Sequence, residues 1–68
     1  MAEEVGQECR EFLSQNVSHY DDLSKDDAKA ALVHAFRKHA FAKGWDDVDF
    51  HVNSEQLAID EIEKHRGG

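Results

Sequence analysis

Sixty-eight residues carry fifteen Asp and Glu against eight Lys and Arg, a formal net charge of −7. A chain this short makes one domain at most, and it buries only about 60% of the surface that its unfolded form exposes. The charge excludes phosphate binding over most of the surface and suits basic partners, while the single cysteine, Cys9, excludes an internal disulfide.

The first predicted helix covers about residues 3–16. Val5, Cys9, Phe12 and Leu13 recur at the spacing of one helical face. Glu4, Glu8, Glu11 and Gln15 fall together on another face, which is expected to be exposed. Residues 17–23 form a connector, because Asn16, Ser18, Asp21 and Asp22 favour turns over helix.

The second helix, about residues 25–43, has the clearest start. Ser24 is a good N-cap, Asp27 sits at N3, and Leu23 can close over Ala28 as a hydrophobic staple. Ala28, Leu32, Ala35, Phe36 and His39 form an apolar stripe, which Val33, Ala40 and Phe41 widen. Gly44 suits the left-handed position that ends a helix. This helix is also the basic part of the chain. Residues 28–45 contain no Asp or Glu but hold Lys29, Arg37, Lys38 and Lys43. Those cations complement the helix dipole and are expected to pair with neighbouring acids.

The pattern then changes period. Val48, Phe50 and Val52 alternate with Asp47, Asp49 and His51, which predicts a half-buried strand or extended segment at about 47–52. A lone strand needs a ladder partner, so this segment is expected to pack as a loop, pair with a second copy or offer an edge to another protein. The third helix, about residues 54–65, starts with a capping box of Asn53 and Gln56. Leu57, Ala58, Ile59 and Ile62 supply its apolar face, and Lys64, His65 and Arg66 close it.

Motifs for chemistry are weak. His34 and His39 are five residues apart, not at the four-residue spacing that places two ligands on one helical face. Cys9 occupies an apolar helical position and reads as a small buried side chain. No metal or cofactor is expected. There is no nucleophile elbow and no glycine-rich phosphate loop, so catalysis is not expected either. Asp46, Asp47 and Asp49 read as solvated loop acids. The N-terminal Met-Ala-Glu-Glu is acidic where a secretion signal is basic, and no run approaches the roughly 20 apolar residues of a membrane span. These features predict a soluble, cytoplasmic chain. The closing Arg66, Gly67 and Gly68 resemble the tails of ubiquitin-like carriers, but those have a β-grasp fold and this chain has three helical segments.

The expected fold is therefore mainly α: a small three-helix domain with a short extended segment between the second and third helices and a Gly67-Gly68 tail. The expected function is non-enzymatic. The chain reads as an acidic protein-interaction module that docks on a basic surface of another protein. One form would be an inhibitor that mimics nucleic acid and occupies a nucleic-acid-binding surface, by analogy of size and charge with small phage and mobile-element proteins. The acids expected to meet the partner are Glu4, Glu8, Glu11, Asp21 and Asp22. Trp45, Val48, Phe50 and Val52 are the expected apolar anchors, for a partner or a second copy. The alternatives are a structural or regulatory homo-oligomer, such as a homodimer, assembled through the second helix and the Val48–Val52 segment, and a carrier using the terminal Gly-Gly. Direct nucleic-acid or membrane contact is not expected.

Overall fold

The connector after the first helix is too short to carry the chain away, so the second helix must fold back along it. The computed structural model, which describes residues 2–67, shows that arrangement. Helix α1 (Ala2–Asn16) passes through a 3₁₀ turn (Val17–Tyr20) into α2 (Lys25–Ala42). A one-turn helix α3 (Val48–His51) leads into α4 (Ser54–His65). The fold is mainly α, with three longer helices, and there is no strand among the described residues. No helix of the described residues is long and apolar enough to cross a membrane. Gly68, on which the carrier reading rests, lies outside the described residues.

Helix α4 packs against both α1 and α2, giving an up-down-up bundle. Val5, Cys9 and Leu13 of α1 meet Leu32, Val33, Phe36 and Ala40 of α2, with Ala58 and Ile62 of α4 closing the core. Phe12, Tyr20, Trp45, Val52 and Leu57 pack around its edge. Cys9 is fully buried, and burial pushes its thiol up to about 11, so it behaves as an inert core side chain.

The caps form as the residue types dictate. The Ser24 hydroxyl accepts the Asp27 N–H at 3.2 Å, and the Asn53 side-chain oxygen accepts the Gln56 N–H at 3.1 Å. At the end of α2, Gly44 takes φ +84°, a conformation that costs other residues about 1–2 kcal/mol. Its N–H donates to the Phe41 carbonyl, and the Trp45 N–H donates to the Ala40 carbonyl, both at 2.9 Å. This pair of bonds is a Schellman motif. It folds Trp45 back onto Ala40 and fixes the direction in which the chain leaves the helix.

The extended segment expected at about 47–52 is not formed. Residues 48–51 make a helical turn closed by the Val52 N–H on the Val48 carbonyl at 2.9 Å. The reason lies in the two periods. Val48 and Val52 share one side in a strand and are also four apart, the spacing of one helical face. Only Phe50 tells the two apart. A lone strand would leave its backbone groups without a ladder, whereas a helical turn satisfies them locally. Val48 is accordingly buried and Val52 half-buried, while Phe50 is 91% exposed. Phe41, expected to widen the apolar stripe of α2, is 74% exposed.

Candidate functional site: an acid-rimmed cleft at one pole

The bundle measures 31 × 18 × 17 Å, so its two ends are separate surfaces. One pole gathers the end of α1, the start of α2 and the end of α4. The other gathers the start of α1, the end of α2, the whole of α3 and the start of α4.

At the first pole, Asp21, Glu63 and Arg66 are met by charge or by backbone, while Asp22, Asp26 and Asp27 make no ion pair among the described residues. His65 Nε2 lies 2.9 Å from an Asp21 carboxylate oxygen, and Lys25 pairs with Glu63. The Arg66 guanidinium donates to the carbonyls of Tyr20, at 3.1 Å, and Leu23, at 2.7 Å. Asp26 and Asp27 lie in the first turn of α2, where the helix dipole favours acids. These contacts tie the three helix ends together. Asp22 is exposed beside them.

The second pole is different. A cleft of about 240 Å³ opens between the start of α1 and the link from α2 to α3. Trp45, Val5 and Val48 give it an apolar lining; Glu4, Asp46, Asp47 and His51 line it too. Glu4, Asp46 and Asp47 make no ion pair among the described residues, and all three are exposed. Two exposed phenylalanines, Phe41 and Phe50, belong to the elements at this pole, α2 and α3. Arg37, one helical turn before Phe41, lies 3.3 Å from Asp49, the neighbour of Phe50, and 3.9 Å from Glu55.

The structure divides the expected acids among different surroundings. Glu4 is at the cleft, and Glu11 is exposed farther along α1. Glu8, between them, is half-buried and bonded to Lys43, with His39 Nε2 at 3.7 Å. The Lys43 hydrogen bond and charge hold the Glu8 carboxyl below its ordinary value, with His39 adding to the effect. Asp21 and Asp22 lie at the opposite pole. Among the expected anchors, Trp45 and Val48 line the cleft, Phe50 stands in solvent, and Val52 borders an open groove between α1 and α4 of about 600 Å³. In sequence, Asp46 and Asp47 read as solvated loop acids. Their signal was their place directly after Gly44 and Trp45: once the Schellman motif folds the indole inward, the next residues form the rim.

Trp45 already interacts with one cation. The Lys43 ammonium lies 5.2 Å from the centre of the indole ring, within the range of a cation–π contact. Lys43 is not among the residues that line the cleft. No three of the described His, Cys, Asp and Glu residues come together as a metal site. No family model matches the chain, and no curated protein or solved structure is significantly similar to it, so no function is inherited from a relative.

Proposed function

We propose that this chain is a non-enzymatic protein-interaction module that docks on a basic surface of another protein through the pole that carries Glu4, Trp45, Asp46, Asp47 and Phe50. One observation carries the reading. At this pole three exposed acids without ion-pair partners among the described residues share a cleft with Trp45, Val5 and Val48, and the exposed Phe50 belongs to the one-turn helix that also supplies Val48 and His51 to that cleft. Apolar anchors inside a charged rim are the usual anatomy of a protein interface. The rim's sign, and the net charge of −7, select a basic partner and speed the encounter. An inhibitor that covers a nucleic-acid-binding surface is the finer form of this reading.

A homo-oligomer is the second reading, favoured by the same exposure of Phe41 and Phe50. Its interface would use these rings and not Val48, which is buried.

Immobilised protein is exposed to lysate from its own source and washed with rising salt, beside a Glu4→Gln/Asp46→Asn/Asp47→Asn variant and Phe50→Ala. The docking reading expects a basic protein that elutes with salt and that both variants fail to retain. Recovery of the protein's own copies alone, with equal recovery by the acid variant, would overturn it in favour of self-association.

A further inference from the structure

The acids at the second pole would by themselves be only a solvated rim. Two further features make the cleft a recess for a particular group. Part of its lining is aromatic and aliphatic, from Trp45, Val5 and Val48, and the rest is polar, from Glu4, Asp46, Asp47 and His51. Its volume, about 240 Å³, is below the roughly 300–1,000 Å³ of small-molecule pockets and suits a single side chain. The group that complements this lining has an apolar stem for Trp45, Val5 and Val48 and a cationic head for Glu4, Asp46 and Asp47.

From this we infer that the cleft takes one arginine side chain from a basic segment of the partner. The inference rests on the docking reading above and names what that surface recognises. Arginine is preferred to lysine on chemical grounds. Its guanidinium is planar and stacks on an indole, and its fork of N–H donors meets carboxylates two at a time. Lysine offers a compact, strongly hydrated point charge. The chain itself shows that this indole accepts a cation, since the Lys43 ammonium lies over the ring and is bonded to Glu8. Lys43 is also a like charge that an incoming guanidinium must approach. Removing it therefore strengthens binding.

Trp45 is the only tryptophan in the chain, so its fluorescence reports this cleft alone. The probe is N-acetyl-arginine amide, and the control is N-acetyl-citrulline amide, which keeps the shape and loses the charge. The inference expects a saturable change in Trp45 emission with the arginine probe and none with the control. Glu4→Gln/Asp46→Asn/Asp47→Asn, with circular dichroism confirming its helices, should weaken the response about tenfold, and Lys43→Met should strengthen it. An equal response to the citrulline probe, or a response unchanged in the acid variant, would overturn the inference. If the partner is still captured through Phe50 while Trp45 ignores the arginine probe, the docking reading stands and the arginine assignment falls.

Discussion

The two poles of this bundle are built from similar residues and differ in what those residues face. Both are acidic. At the first, Asp21 meets His65, Glu63 meets Lys25, and Arg66 clasps two carbonyls of the connector, with Asp22 exposed beside them and no exposed phenyl or indole ring there among the described residues. At the second, the exposed Glu4, Asp46 and Asp47 share a cleft with a half-buried indole and make no ion pair among the described residues. Paired charge at a junction of helix ends holds a small fold together. Unpaired charge beside exposed aromatics does little for stability and is available to another molecule. Charge count alone therefore misleads: the net −7 is a property of the chain, but its consequence depends on where the eight cations go.

The phenylalanines give the sharpest test of this contrast. Phe36 is fully buried in the core, and Phe36→Ala should cost about 3–5 kcal/mol, enough to unfold both poles together. Phe50→Ala should leave stability within about 0.5 kcal/mol while abolishing partner capture. Chemical denaturation of both variants separates the two effects.

Next comes the turn that shapes the cleft. A Cβ at Gly44 would meet no atom within 4 Å, so the cost of Gly44→Ala is backbone strain alone, about 1–2 kcal/mol. Trp45 emission should move with it, because the Schellman motif aims the indole. Arg66→Ala at the other pole should cost about 1 kcal/mol through its lost bonds to Tyr20 and Leu23, with Trp45 emission unchanged. Together the pair tests whether the poles respond independently.

Neutralising acids should separate the poles further. Glu4→Gln/Asp46→Asn/Asp47→Asn should leave the melting midpoint nearly unchanged, within about 0.5 kcal/mol. Asp21→Asn should lower it, since His65 then loses its partner. The smallest effect concerns Glu8. Its folded-state carboxyl is held below the ordinary value of 4.5, so its pairing with Lys43 adds stability that is fully present above that value. The contribution disappears as pH falls through the lowered folded value. The stability difference between the wild type and Lys43→Met should shrink over that interval, as measured by urea denaturation at stepped pH.

Much of the fold could be read from the sequence, because its signals are local. Ser24, Asn53 and Gly44 mark helix ends through bonds spanning a few residues, and all three act as caps. The helical spacing of Val5, Cys9 and Leu13 marks one buried face. Residues 48–52 misled because Val48 and Val52 satisfy both periods, and Phe50 alone carries the distinction. Phe41 misled for a related reason. An apolar residue at the edge of a helical stripe is buried only if a neighbour reaches it, and none of that was written in α2. The cleft was only half legible. Trp45, Val48 and Glu4 were picked out, but as members of separate groups. Their meeting depends on α1 returning its first turn to the end of α2, a contact between residues some forty positions apart. Glu8 was assigned to an exposed acidic row for the same reason, since only the folded bundle brings Lys43 to it.

The central claim is that the pole with unpaired acids and exposed aromatics is the docking surface. It is tested most directly by titrating isotopically labelled protein with a short arginine-rich peptide and following each backbone amide by NMR. The account predicts shifts at Glu4, Trp45, Asp46, Asp47 and Phe50, with Asp21, Asp22 and His65 unmoved. Shifts concentrated at the Asp21 pole, or spread evenly over every exposed acid, would contradict it.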